Sequence, residues 1–173
     1  MSDYLRLIDT TTRPRCDVTP LFADYEAFSA LMDDLIAPFA QTEIDCVAGI
    51  DALGFIIGAA MAMRLKTGLV TIRKGGKLPA QADAIDFVDY TGQTKSLELR
   101  TGTVKPGMQV LLVDEWIETG AQVAAAIGLI EQQGGTVAGI ATINIDDNAR
   151  TRTLRAKYRC HAVWRNSNAD SYP

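Results

Sequence analysis

The sequence has few of the residues that build metal sites and disulfide frameworks. Its 173 residues contain a single histidine and three cysteines, and the cysteines, at positions 16, 46 and 160, form an odd and scattered set. Such spacing fits neither a zinc site nor a disulfide framework, so we expect buried thiols. The lone His161 lies in a short apolar stretch near the end of the chain, where we expect a structural role. We therefore expect no metal site formed by protein side chains alone.

Long apolar runs and clusters of positive charge are also missing. No apolar run is long enough to span a bilayer, and the first residues lack the basic and then apolar order of a signal peptide. Lysine and arginine are spread thinly, and the formal net charge is −4, which argues against a nucleic-acid surface. We therefore expect a cytoplasmic protein that has no membrane or nucleic-acid partner and acts on small molecules.

The remaining composition fits one α/β domain. The chain is 47% hydrophobic and 22% charged, and it is long enough for a single domain over residues 1–173 but too short for two. Apolar spacing predicts helices and strands in alternation. The predicted helices cover residues 25–39, 55–66 and about 120–134, and the predicted strands cover residues 46–50, 69–72, 110–113 and 135–143. This alternation favours a mostly parallel sheet with helices on both faces, whose strand carboxyl ends form one ligand-binding crevice.

The most informative segment covers residues 110–122. An apolar run ends there in Asp114 and Glu115, and a short turn with Thr119 and Gly120 follows. A helix that begins at about residues 119–121 leaves its first N–H groups without helical partners, so they can bind a phosphate. The two acids would repel a second phosphate, so they suit hydroxyls or a metal. Ribose hydroxyls beside a 5′-phosphate satisfy both halves of the segment, although an ordinary strand–turn–helix unit with chance acids is the alternative.

This segment resembles the phosphoribosyl diphosphate (PRPP) signature of the type I phosphoribosyltransferases. The shared order is four apolar residues, two acids, two apolar residues and a Thr-Gly turn. Residues 49–58, 70–79, 96–99 and 105–107 resemble the adenine branch of that family, and the match extends over about residues 16–160. The resemblance implies the type I phosphoribosyltransferase fold, with an N-terminal hood of about residues 1–25 and a flexible lid of about residues 75–95.

The resemblance also implies the reaction and its site. The reaction would be transfer of phosphoribose from PRPP to a purine base with release of diphosphate. Adenine is the first expected base, and its product would be AMP. The ribose hydroxyls and the 5′-phosphate would be held by Asp114, Glu115, Glu118, Thr119, Gly120, Ala121 and Gln122. The diphosphate would be held by Ala52, Leu53, Gly54, Arg73 and Lys77, and Mg²⁺ would bind mainly through the diphosphate. A homodimer is expected.

Two alternatives to this function stay open on the sequence. One is a phosphoribosyltransferase for hypoxanthine, guanine or xanthine. The other is a non-catalytic regulator that binds PRPP or a nucleotide. Leu53 favours the regulator, because the adenine enzymes usually have an arginine there that faces the diphosphate. Lys77 argues against it, because it keeps the motif of the catalytic family, and Lys74 is a further candidate cation.

Glu118 and Asp89 are the predicted catalytic residues. The adenine enzymes usually have a small residue at position 118, whereas the 6-oxopurine enzymes have an acid that exchanges a proton with the base. A carboxylate beside a bound phosphate is reluctant to ionise, which suits proton exchange. The alternative is an acid that interacts favourably with the helix dipole. Asp89, with Tyr90, resembles the acid–aromatic pair of the lid, for which an ordinary hairpin loop is the alternative.

Base recognition is the least specific part of the sequence. The aromatic residue and the arginine that precede the Asp-apolar-Thr-Pro segment in the adenine enzymes are not in register here. Arg15 and Cys16 take their place before Asp17, and a planar guanidinium can stack on a base. We therefore predict that Arg15 and Cys16 contact the base, and the identity of the base stays open.

Overall fold

The computed structural model describes residues 3–12 and 15–164. Its α-helices are α1 (Thr19–Ala23), α2 (Tyr25–Ile36), α3 (Leu53–Leu65), α4 (Ala121–Gln132) and α5 (Ala149–Lys157). Its strands are β1 (Cys46–Ile50), β2 (Gly68–Lys74), β3 (Ala82–Val88), β4 (Thr94–Arg100), β5 (Gln109–Ile117), β6 (Thr136–Ile145) and β7 (Cys160–Ala162). Short 3₁₀-helices cover Asp3–Leu7 and Ala37–Phe39.

All seven strands form one sheet in the order β3-β4-β2-β1-β5-β6-β7. Strands β2, β1, β5, β6 and β7 are parallel to their neighbours. Strands β3 and β4 form an antiparallel hairpin at the β2 edge. The sequence prediction of a mostly parallel sheet with flanking helices is confirmed. Because five strands run in one direction, their carboxyl ends meet along one edge of the sheet.

Apolar side chains fill the space on both faces of the sheet. The five residues of β1 are all buried, as expected for a central strand that is covered on both sides. One core contains α4 with alternate residues of the strands, and the other contains α2, α3 and the N-terminal segment. None of the helices in the described part of the chain is both long and apolar enough to cross a membrane.

Strand β5 is longer than the sequence predicted. We expected a strand over residues 110–113, because the two acids that follow usually end an apolar strand. The structure continues the strand to Ile117, which pairs with Ile145 of β6. Pairing with a neighbouring strand therefore overrides the local loss of apolar character, and Asp114 and Glu115 are fixed on the sheet itself.

The predicted lid contains a regular strand. The sequence around residues 75–95 shows little periodicity, but Ala82–Val88 pairs along its whole length with Thr94–Arg100. Ile85 and Phe87 from β3 pack against the core that contains α4. The sequence analysis did not predict this strand, because contacts with β4 and α4 supply an order that the local sequence does not show. The flexible lid stays a prediction.

Gly54 is required for the close packing of α3 on β5. A Cβ atom at this position would lie 2.8 Å from the Val113 carbonyl oxygen and 3.3 Å from an oxygen of Asp114. We expect Gly54→Ala to lower the free energy of unfolding by about 1–3 kcal/mol, the usual cost of forcing an extra carbon into a packed interior. Denaturant titration measures this change.

Gly68→Ala is the matched control for Gly54→Ala. A Cβ atom at Gly68 has no neighbour within 4 Å, so its effect should stay within about 0.5 kcal/mol. Equal stabilities for the two variants would contradict the role that the structure gives to Gly54.

Candidate active site

A cavity of about 450 Å³ opens at the carboxyl ends of β1, β2 and β5. The predicted site residues on its wall are Arg15, Ala52, Leu53, Asp89, Asp114, Glu115, Glu118, Thr119, Gly120 and Gln122. The wall does not include the other predicted residues, which are Cys16, Gly54, Arg73, Lys77 and Ala121. The fold therefore brings most of the predicted site together from four separate segments of the chain.

The turn before α4 has the geometry of an anion-binding loop. Gly120 is the N-cap of α4 and has a φ of 75°, in the left-handed region that glycine tolerates. Ala121 begins the helix, and its N–H donates a hydrogen bond of 3.3 Å to the Thr119 hydroxyl. The amides of the first helical turn lack helical acceptors and point out of the helix end, which suits binding of a phosphate.

Asn148 holds this turn from the side of α5. Its side-chain amide donates to the Glu118 carbonyl oxygen over 2.7 Å. The same side chain caps α5 in a reciprocal arrangement with Thr151. Sequence reasoning missed this support, although the Asn-x-x-Thr pattern at residues 148–151 is typical of a helix N-terminus.

Asp114 is a buried acid in the wall of the cavity. It is only 3% exposed, and its oxygens accept hydrogen bonds from the Glu115 N–H at 3.0 Å and from the Gln122 side chain at 3.3 Å. Burial raises the pKa of Asp114 well above the usual value, and the nearby charge of Glu115 raises it further. The carboxyl group is therefore held in a fixed position in the cavity wall, and its surroundings favour the protonated form.

Glu118 forms a two-point ion pair with Arg15. The Arg15 Nε and Nη2 atoms donate to the two Glu118 oxygens over 2.6 Å and 2.9 Å, and Nη1 lies 3.5 Å from Glu115. The guanidinium carbon lies 5.2 Å from the centre of the Tyr90 ring. Paired hydrogen bonds from a cation stabilise an ionised carboxylate. Glu118 is therefore held by a cation from a distant segment of the chain, and its expected proton exchange with the base stays a prediction.

The predicted cations of the diphosphate loop are only partly at the cavity. Lys74 lines the wall, whereas Arg73 donates to the Lys77 carbonyl oxygen over 2.9 Å and lies 3.9 Å from Asp51. The N–H of Lys77 donates to Glu98 over 3.3 Å. Arg73 and Lys77 thus lie outside the cavity wall, with Arg73 next to Asp51, and Lys74 is the cation of this group on the wall.

Asp89 organises the turn between β3 and β4. Its carboxylate accepts hydrogen bonds from Thr91 and Gln93 and forms an ion pair with Lys95. The Lys95 ammonium and the Thr91 hydroxyl hold the pKa of Asp89 well below its usual value. Phe87 and Lys95 also line the cavity. Sequence reasoning missed both, because their positions depend on the strand pairing of the hairpin.

Comparison with known proteins identifies the family. The profile of the phosphoribosyl transferase domain matches residues 23–168. The chain belongs to the phosphoribosyltransferase family. It is 43% identical over 141 residues to an adenine phosphoribosyltransferase of Cereibacter sphaeroides, covering 81% of this chain and 79% of that protein. It is 41% identical to an adenine phosphoribosyltransferase of Sorangium cellulosum, covering 82% of this chain and 70% of that protein.

Solved structures of adenine phosphoribosyltransferases resemble this phosphoribosyltransferase closely. The enzyme from Rhodothermus marinus superposes with a TM-score of 0.84 at 32% identity, covering 94% of this chain and 96% of the other. The enzyme from Giardia lamblia, solved in complex with 9-deazaadenine, gives a TM-score of 0.85 at 26% identity, covering 96% and 97%. The fold and the family are therefore established over nearly the whole chain.

The cavity wall of this phosphoribosyltransferase has more acidic than basic side chains. Its wall contains the acids Asp51, Asp89, Asp114, Glu115 and Glu118 and the bases Arg15, Lys74 and Lys95. In the described residues, no group of three or more acidic, cysteine or histidine side chains is arranged to hold a metal ion. On the described wall, the groups that could neutralise an anionic ligand are these three cations and the backbone amides at the start of α4.

Proposed function

We propose that this phosphoribosyltransferase transfers phosphoribose from PRPP to adenine and releases AMP and diphosphate. The observation that carries the proposal is the junction of β5 and α4, where two acids and a glycine-capped helix start line one cavity. Asp114 and Glu115 suit ribose hydroxyls, and the amides after Thr119 suit the 5′-phosphate. The curated relatives, which carry the name adenine phosphoribosyltransferase, support adenine as the base.

The chemistry needs charge stabilisation rather than a nucleophile. As the bond from C1 of the ribose to the diphosphate breaks, positive charge grows on the sugar and negative charge grows on the diphosphate. Glu115 and Asp114 lie on the sugar side, and Lys74 and the backbone after Asp51 lie on the diphosphate side. A cavity that excludes water also limits hydrolysis of the reactive sugar.

Mg²⁺ fits this site as a companion of the ligand. The described residues form no complete cage for a metal ion, but Asp51 and Glu115 offer carboxylate oxygens at the cavity wall. Most oxygen ligands of a protein-bound Mg²⁺ usually come from phosphates and water, and only one or two come from carboxylates. When bound, the metal would neutralise charge on the diphosphate.

One assay tests the function and separates the alternatives. The protein is incubated with PRPP, Mg²⁺ and adenine, hypoxanthine, guanine or xanthine in turn, and diphosphate release is measured. We expect release with adenine above all other bases. Diphosphate release with only a 6-oxopurine would show that the protein uses another base. PRPP binding without diphosphate release would show that the protein is the non-catalytic regulator.

Leu53→Arg tests the largest departure from the adenine enzymes. Leu53 lines the cavity and also packs, half-buried, against the core beneath α3. We expect the arginine to raise turnover about tenfold, because a cation near the departing diphosphate interacts most strongly as negative charge grows there. The choice of base should not change. Steady-state rates with PRPP and adenine measure the effect.

Leu53→Met is the control for Leu53→Arg. It keeps the apolar packing without adding charge, so its turnover should match that of the unmodified protein. A slower Leu53→Arg variant with an active Leu53→Met variant would show that the site does not accept a cation at position 53.

We also propose a homodimer in the cytoplasm. Ile56 and Met63 on α3 are 44% and 80% exposed, and Leu69 on β2 is 37% exposed. A second copy of the chain would remove these apolar side chains from water. Cys46 and Cys160 are free thiols, which suits a reducing compartment. Sedimentation velocity measures the oligomeric state, and a monomer at micromolar concentration would contradict the dimer.

A further inference from the structure

Two departures from the adenine enzymes contact each other in this fold. The sequence has an acid at position 118, where those enzymes usually have a small residue. It also has Arg15 before Asp17, where the aromatic residue and the arginine that recognise the base in those enzymes are not matched in register. The two positions are separated by 103 residues, yet their side chains form hydrogen bonds of 2.6 Å and 2.9 Å. Glu118 and Arg15 therefore belong to one local arrangement, and the two departures are not independent changes.

The position of Glu118 creates an electrostatic problem for the phosphate loop. Glu118 directly precedes Thr119 and Gly120, and its side chain is only 12% exposed. Water screens such a carboxylate weakly, so an ionised Glu118 without a partner would repel a phosphate at the start of α4. Glu115 carries a second carboxylate on the same wall. A phosphate dianion can bind here only if this negative charge is compensated.

Arg15 is positioned to supply the compensation. Its guanidinium contacts both oxygens of Glu118 and lies 3.5 Å from Glu115. Tyr90 packs against the guanidinium, with the carbon 5.2 Å from the ring centre, which favours the cation at this point. The Glu118 carbonyl oxygen is held by Asn148. Both ends of the ion pair are therefore restrained.

We propose that Arg15 is a charge-compensating residue that masks Glu118, so that a ligand with a 5′-phosphate can bind at the start of α4. This inference rests on the proposed function, because it places the 5′-phosphate at that loop. It assigns Glu118 no part in proton transfer. It also assigns Arg15 to the phosphate side of the site, whereas the sequence suggested the base.

The test is a double-mutant cycle read out by AMP binding. Arg15→Met leaves a nearly buried, unpaired Glu118, so AMP affinity should fall about 10- to 100-fold, because most of the cost of breaking such a pair comes from the charge left behind. Glu118→Gln removes the repelling charge and keeps Arg15, so AMP affinity should rise rather than fall. The double variant, Arg15→Met with Glu118→Gln, has the same net charge at this point as the unmodified protein and should regain affinity to within about threefold of it. Calorimetry measures all four proteins.

Adenosine, Arg6→Met and thermal melting serve as controls. Adenosine lacks the phosphate, so Arg15→Met should change its affinity by less than about threefold. Arg6 is 73% exposed and pairs with Asp3, so Arg6→Met removes the same charge from the N-terminal segment without touching the site. Melting curves show whether each variant is folded, and Arg15→Gln replaces Arg15→Met in the cycle if the latter is unfolded.

Three results would overturn the inference. The first is a double variant that binds AMP as weakly as Arg15→Met alone. The second is an equal loss of AMP and adenosine affinity in Arg15→Met, which would assign Arg15 to the base. The third is a pH profile of kcat in Glu118→Gln that has lost one limb, which would assign proton transfer to Glu118. If the unmodified protein fails to bind AMP, the proposed function itself fails.

Discussion

Gly120→Val is expected to weaken AMP binding more than a hundredfold. Gly120 has a φ of 75°, and a Cβ atom there would lie 3.0 Å from Leu154 and 3.3 Å from Thr151. Valine is strongly disfavoured at this φ, so the turn has to change shape and its amides no longer converge on a phosphate. Loss of two charge-assisted hydrogen bonds, at about 1.5–3 kcal/mol each, accounts for the size of the effect. Calorimetry with AMP measures it.

Gly102→Val separates the loss of the site from the loss of stability. Gly102 has nearly the same φ, 76°, but a Cβ atom there has no neighbour within 4 Å, and the residue does not line the cavity. It should show a similar conformational cost in denaturant titration and bind AMP normally. If a folded Gly120→Val variant still bound AMP normally, the start of α4 would not be the phosphate site.

Asp114→Asn is expected to stabilise the protein and to weaken its ligand binding. The buried carboxylate costs free energy when it is ionised, and asparagine removes that cost while keeping an acceptor for the Glu115 N–H. PRPP affinity should fall by about 1–3 kcal/mol, the usual loss when charge-assisted hydrogen bonds to ligand hydroxyls are removed. The double variant with Glu115→Gln should lose more. Calorimetry and thermal melting measure the two effects.

The stabilisation by Asp114→Asn should depend on pH. The pKa of Asp114 is higher in the folded protein than in the unfolded chain, so the folded state binds the proton more tightly. The cost is absent below the unfolded pKa, grows as pH rises from there, and is complete above the raised folded pKa. The difference in unfolding free energy between Asp114→Asn and the unmodified protein should therefore increase with pH and then level off.

Asp147→Asn is the control for this pH dependence. Asp147 is 60% exposed and pairs with Arg152 on the surface, so its replacement should change stability by less than about 1 kcal/mol at any pH. A destabilised Asp114→Asn variant, or a stability difference that shrinks as pH rises, would contradict the assignment of a buried, costly carboxylate.

The sequence predicted the elements whose signals are local. The apolar run before Asp114, the Thr119-Gly120 turn and the helical spacing after it specify a strand, a loop and a helix in that order. Because parallel strands place their carboxyl ends on one edge, the order of elements also placed the loops after Ile50 and Val113 in one crevice. These inferences depend only on neighbours in the chain, so one sequence is enough for them.

The sequence predicted less where pairing with distant elements decides the structure. Strand β5 continues to Ile117 because β6 pairs with it there. Residues 82–88 are extended because β4 and α4 cover them. Neither signal is present in the segment itself, since the energy of a strand comes mainly from its partners. Arg73 and Lys77 do not line the cavity, whereas Lys74 does. Because neighbouring residues of a strand point to opposite faces, this outcome depends on the register of β2. The diphosphate-binding roles of Arg73 and Lys77 stay predictions.

By itself the sequence determined the family and the order of the helices and strands that have a local apolar pattern, and it predicted the phosphate loop, because each of these depends on residues close together in the chain. Only the tertiary structure decided that Arg15 meets Glu118, that Asn148 supports the loop, and that Asp114 is buried. Those contacts join segments up to 103 residues apart. Their energies depend on distance and burial, which no local pattern encodes.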